Sequence, residues 1–159
     1  MADYHGERLA PLLHPLLDKF YRACRSPMRA ASGAQAWVVR QPEIIAALCL
    51  TPMDRGGHWL TGVLVAPAQR RQGLASRLIE HALAQTPGPV WLFCHPELAG
   101  FYRRLGFTSA TQLPAPLAER LARYRRHKPL LALAHREAMP ASPALTDPRQ
   151  CLAGALRQD

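Results

Sequence analysis

With 159 residues, the chain is long enough for one well-filled domain and too short for two of ordinary size. A hydrophobic content of 48% excludes disorder of the whole chain, and a formal net charge of +9 favours an anionic partner: a polyphosphate cofactor, nucleic acid or a membrane surface. Cys24, Cys49, Cys94 and Cys151 form no C-x-x-C pair and have no histidines at zinc-finger spacing, so neither a metal site nor a disulfide framework is expected.

Met1 to Glu7 lacks the basic and apolar regions of a signal peptide, and no apolar run approaches the length of a membrane span; a reducing cytoplasm is the expected compartment and no membrane partner is expected. Between Glu7 and about Arg25, Leu9, Leu12, Leu13, Leu16, Leu17 and Phe20 recur at helical spacing, interrupted by Pro11 and Pro15, which predicts one or two short helices. Trp37 to Val39 and Ile44 to Leu50 read as strands joined at Gln41-Pro42, and Asp54 to Gly57 turns into a third strand, Trp59 to Val65. These form an antiparallel meander.

A helix from Leu74 places Leu74, Leu78, Ile79, Ala82 and Leu83 on one face and ends at Pro87-Gly88-Pro89. Val90 to Cys94 is apolar throughout, as a strand covered on both sides and parallel to its neighbour requires, so strand, helix and strand make one βαβ unit. A short helix from about Pro96 to Leu105, a strand starting at Phe107, a helix from Ala115 to Arg126 and a last strand, Pro129 to Ala134, complete the order. The late cations Arg103, Arg104, Arg120, Arg123, Arg125, Arg126 and Lys128 read first as a solvated face.

The segment Val63 to Ile79 runs from an apolar strand through a basic turn into an amphipathic helix. A helix start leaves backbone N–H groups without partners and carries partial positive charge, so it suits a phosphate, and Gly73 lets a ligand reach that backbone. Arg70-Arg71-Gln72-Gly73-Leu74-Ala75 resembles the R/Q-x-x-G-x-G/A loop of the GNAT family of acetyl-CoA-dependent N-acyltransferases, and Val63 to Pro67 resembles that family's fourth strand. Downstream, His95 to Phe107 resembles the later family segment, in which an Asn is followed seven residues on by a Tyr and then by a Gly-Phe pair, here Tyr102 and Gly106-Phe107. The likeness covers about Trp37 to His135 and implies the α/β GNAT acyl-CoA N-acyltransferase fold, a mixed central sheet flanked by helices. It departs at the N-terminus. No first strand is legible before the early helix, so the sheet is expected to lack that edge. Residues 1–137 are taken as one domain and 138–159, with Pro140, Pro143 and Pro148, as a mobile tail or loosely attached helix.

The resemblance implies a role for each part of the site. Backbone groups of Val63, Leu64 and Val65 stand where the family binds the pantetheine arm, with the Val65 amide polarising the acyl carbonyl; without the following loop they would read as a plain buried strand. Arg71, Gln72, Gly73, Leu74, Ala75 and Ser76 match the pyrophosphate loop, with Ser76 adding a hydroxyl and Arg70 either bound to phosphate or solvated. Tyr102 aligns with the general acid that protonates the departing thiolate; the competing reading is a core aromatic in a stripe with Leu98 and Leu105. His95 stands where the family has Asn and could contact the cofactor, act as a base or be structural; His58 is the other base candidate, and a water chain the third.

Two functions follow. One is an N-acetyltransferase in which a primary amine of a small molecule or peptide attacks acetyl-CoA directly, with Cys94 not needed as nucleophile. The other is a non-catalytic module that keeps the fold and CoA site or turns its basic late helix to nucleic acid or an acidic partner, with nucleic acid the weaker expectation. The acceptor is not legible, and a homodimer stays open.

Overall fold

The computed structural model describes residues 5–137. Residues 138–159, read above as a tail, lie outside the described residues. Strands β1 (Gly6–Leu9), β2 (Gln35–Arg40), β3 (Ile44–Pro52), β4 (His58–Val65), β5 (Val90–Cys94), β6 (Thr108–Ser109) and β7 (Leu131–His135) form a single mixed sheet. Its order is β1-β2-β3-β4-β5-β7-β6, antiparallel except for the parallel β4–β5 pair. Helices α1 (His14–Ala23) and α4 (Ala115–Tyr124) cover one face, and α2 (Leu74–Ala84) and α3 (Ala99–Arg104) cover the other. The mixed sheet flanked by helices expected from the motifs is therefore present.

Strand alternation decides which core each residue joins. In β2, Trp37 and Val39 pack with Leu74, Leu78, Ile79, Ala82 and Leu83 of α2, whereas Ala36 and Val38 pack with Leu17, Phe20 and Tyr21 of α1. Both faces are buried, which is why the meander strands read as near-continuous apolar runs. Burying a side chain of Leu or Ile size contributes about 1.5–3 kcal/mol, so the α2 face, with Leu74, Leu78 and Ile79 almost fully enclosed, anchors the end of the sheet beside the Arg70 to Gly73 loop.

The expected absence of a first strand is corrected. Gly6–Leu9 pairs antiparallel with β2, Gly6 opposite Val39 and Leu9 opposite Ala36. On this edge only Leu9 is buried, while Glu7 reaches outward to accept a 2.6 Å hydrogen bond from Arg40 Nε. Gly6 lies close against α2, where a Cβ would stand 2.9 Å from Leu78 Cδ1 and 3.0 Å from His81 Cδ2. Four residues with one inward apolar side chain carry no alternation to read. The early helical segment is correspondingly shorter: a 3₁₀ turn at Pro11–Leu13 leads into α1, with Pro15 in the first turn, where its missing N–H costs no bond. Phe107 does not start the sixth strand. Its N–H donates to the Tyr102 carbonyl at 3.1 Å and its ring is buried in the α2-side core, leaving Thr108–Ser109 to pair with β7.

Candidate active site

Strand β4 is held to β3 along its length but to β5 only at His58–Val90 and Trp59–Trp91. The strands part because β4 carries a bulge. Its register against β3 passes from Cys49–Thr61 to Ala47–Leu64, so Gly62 and Val63 together oppose Leu48. Gly62 has φ +65°, and its carbonyl accepts a 2.8 Å hydrogen bond from the buried Tyr21 hydroxyl of α1. A Cβ at Gly62 would lie 2.6 Å from that hydroxyl oxygen, so glycine is required both by backbone conformation and by the neighbour. Beyond the bulge the edge of β4 facing β5 has no strand partner among the described residues, and a cleft of about 410 Å³ opens there.

Three segments line the cleft. Val63, Leu64 and Val65 come from β4; Gln69, Arg70, Arg71, Gly73, Leu74, Ala75 and Ser76 from the loop and the first turn of α2; Leu98, Phe101 and Tyr102 from α3 and the turn before it. The loop turns sharply through two left-handed residues, Arg71 at φ +67° and Gly73 at φ +76°. Among the described residues no side chain caps α2, and a Cβ on Gly73 would meet nothing within 4 Å. The first turn of α2 therefore opens on the cleft with the helix dipole behind it, beside two arginines, an arrangement whose charge suits an anion. Arg70 also braces the loop, its Nε donating to the Val65 carbonyl at 3.1 Å.

Tyr102 belongs to both core and cleft. It is 8% exposed, with Phe101 and Phe107 rings edge-on at centroid distances of 5.0 and 5.8 Å, yet it lines the cavity. Burial, with a smaller contribution from the Cys94 thiol, pushes its phenol up to about 12. Its hydroxyl has no hydrogen-bond partner among the described residues. Cys94 is buried, and that burial raises its thiol above the usual range despite nearby Arg103, which makes it a poor nucleophile.

Of the residues predicted from sequence, Val63, Leu64, Val65, Arg70, Arg71, Gly73, Leu74, Ala75, Ser76 and Tyr102 come together in the cleft. Gln72 and His95 are not among its lining residues: Gln72 donates to Gln69 Oε1 at 3.4 Å, and His95 is exposed ahead of the 3₁₀ turn Pro96–Leu98. His58 sits at the opposite end of β4 from Val65, its pKa lowered by burial and then by Arg8. Sequence reasoning missed Gln69, Leu98 and Phe101. Leu98 sits four residues before Tyr102, so the helical repeat was a usable signal for it.

Residues 32–109 match the profile of the acetyltransferase (GNAT) domain. No curated protein matches the sequence. Among solved structures, the fold is similar to N-acetylglutamate synthase from Neisseria gonorrhoeae complexed with coenzyme A and N-acetyl-glutamate, with TM-score 0.66 and 12% identity over 87% of this chain. The match spans only 36% of that longer protein. It is also similar to the ribosomal-protein-S18-alanine N-acetyltransferase of Escherichia coli (TM-score 0.63, 16% identity, 89% of this chain and 98% of that one). A GNAT family acetyltransferase from Elizabethkingia anophelis with acetyl-CoA bound gives TM-score 0.58 at 12% identity over 86% of this chain and 99% of that one. The profile responds to residue identities and identifies residues 32–109 as a GNAT acetyltransferase domain, and the superpositions, which respond to backbone path, show the same fold.

Proposed function

We propose that the protein is an N-acetyltransferase that uses acetyl-CoA to acylate a primary amine by direct attack. The observation that carries this is the uncapped start of α2, open at Gly73 and flanked by Arg70 and Arg71, at one end of a cleft whose other wall holds Tyr102. CoA fits that donor set: its diphosphate needs clustered amides and fixed positive charge, which Arg71 to Ser76 supply, and the free edge of β4 at Val63–Val65 offers main-chain groups to an amide-bearing arm. Coenzyme A or acetyl-CoA bound in structures of the same fold supports the choice.

When bound, acetyl-CoA supplies a thioester whose acyl carbon exchanges its bond to sulfur for one to the amine nitrogen. The protein's part is to hold and to move protons. The Val65 amide is assigned to the developing oxyanion. Tyr102 stays protonated at any physiological pH and is assigned the proton that the departing sulfur needs. The same apolar surroundings that make this phenol a weaker acid also raise the basicity of a thiolate beside it, so the two remain matched within the cleft. Neither His58 nor His95 lines the cavity, so the amine's proton is assigned to water in the open cleft.

Titration calorimetry with CoA tests this reading, with heat expected at micromolar to millimolar concentration. A protein that ignores CoA but binds DNA with a steep salt dependence would return the chain to the non-catalytic module. Two of the late cations are already engaged: Arg120 stacks over the Trp59 ring at 4.8 Å, and Arg125 Nε donates to the Leu130 carbonyl at 2.9 Å. That weakens the nucleic-acid alternative.

A further inference from the structure

On the α1 face of the sheet, a second depression of about 330 Å³ is lined by Asp18, Arg22, Ser26, Pro27, Met28 and Arg29. Met28 ties it to the β4 bulge: its Cε lies 3.6 Å from the position a Cβ on Gly62 would take, and Gly62 directly precedes the cleft residue Val63. Tyr21, the residue before Arg22, grips the same Gly62 from above through its hydroxyl. The depression therefore opens on the opposite face of β4 from α2 and its anion site, at the level of the bulge. A molecule seated there approaches β4 without crossing the phosphate loop.

Its charge is unbalanced. Arg22 and Arg29 are exposed, and among the described residues neither is ion-paired with a carboxylate. The acidic group present, Asp18, spends Oδ1 on the Ala30 N–H at 2.8 Å, a bond that shapes the 26–30 segment. Two guanidinium groups without carboxylate partners outweigh the single Asp18 carboxylate around a pocket with a serine hydroxyl and an apolar methionine wall, and the net positive lining suits a planar oxyanion, which a guanidinium binds through paired N–H donors.

We infer that Arg22 and Arg29 form the acceptor subsite and that the acceptor is an amine carrying a carboxylate: an amino acid, or a peptide with a free or side-chain carboxylate. This rests on the acetyltransferase reading above and names its substrate class. The carboxylate is held on the α1 side while the amine reaches the bulge.

The test is a matched panel of α-amino acids, ω-amino acids and short peptides, each beside its carboxamide, assayed by free-thiol release with acetyl-CoA and by calorimetric binding to the CoA-loaded protein. Carboxylates are expected to exceed their amides in kcat/KM by about three- to thirtyfold, as two charge-assisted pairs at an exposed site allow. Arg22→Ala and Arg29→Ala should each shrink that ratio through KM, and Arg22→Lys should restore part of it. CoA affinity, measured alongside, is the control. If CoA does not bind, the acetyltransferase reading fails. If CoA binds but amides match carboxylates within twofold, or both alanine variants keep the full ratio, the carboxylate subsite is overturned. A CoA-binding protein that neither acetylates nor binds any carboxylate-bearing amine of the panel overturns it equally.

Discussion

Gly62→Ala and Tyr21→Phe, made singly and together, test the contact on which the site geometry rests. Tyr21→Phe removes a 2.8 Å hydrogen bond donated by a fully buried hydroxyl and leaves the Gly62 carbonyl without that donor, for an expected loss of about 1–2 kcal/mol. Gly62→Ala places an L side chain at φ +65°, which costs about 1–2 kcal/mol. It also drives a Cβ to 2.6 Å from the Tyr21 oxygen, and overpacking of this kind adds about 1–3 kcal/mol because the enclosed ring has nowhere to retreat. In the double variant the oxygen is gone and the next Tyr21 atom, Cζ, lies 3.3 Å away, so the clash largely disappears while the backbone strain stays. The pair should therefore cost about 1–3 kcal/mol less than the sum of the two single changes. Urea unfolding followed by tryptophan fluorescence measures each stability, with an unchanged slope as the check on comparable unfolding. Additivity within about 0.5 kcal/mol would refute the claim that these residues meet as described.

Tyr102→Phe removes one hydroxyl from a packed ring and should lower kcat by about 10²-fold with CoA affinity nearly unchanged; turnover within twofold of the parent would leave Tyr102 a core aromatic only. Because the phenol is held at about 12, it stays protonated up to roughly pH 11, so the rate should climb with the free-base fraction of the acceptor amine and then level at the acceptor's own pKa, which a pH profile with two amines of different basicity would reveal. A profile unmoved by the change of acceptor would point to a protein base instead. Gly73→Glu sets a carboxylate in the open space beside the first amides of α2 and should abolish CoA binding in a protein that still folds; unchanged calorimetric affinity would sink the anion-site assignment. Glu137 should support stability above its usual pKa. Partial burial raises that pKa, but donors from the Thr111 and Gln112 backbone, the Thr111 hydroxyl and Trp91 outweigh it and hold the carboxyl below 4.5. Its contribution is thus present above about pH 4.5 and lost as pH falls through the lowered value, and Glu137→Ala should flatten the acid limb of thermal stability; an identical limb in the variant would refute it.

The sequence by itself determined the local half of this protein. The order of meander, βαβ unit and closing α/β pair, the helix from Leu74, and the basic turn that leads into it all depend on contiguous residues whose spacing states a period or a turn. Tertiary structure alone decided what depends on partners far along the chain. The first strand is one, since an edge of four residues with a single buried leucine exists only because β2 is there to pair with it. The cleft is another: its opening is set by a bulge that brings Gly62 under Tyr21, 41 positions earlier, and no periodicity in either segment announces that meeting. Gln69 and Phe101 line the cleft, and Gln72 and His95 do not, for the same reason. A motif says which residues share a turn, but which of them face a cavity is set by how the opposite walls pack.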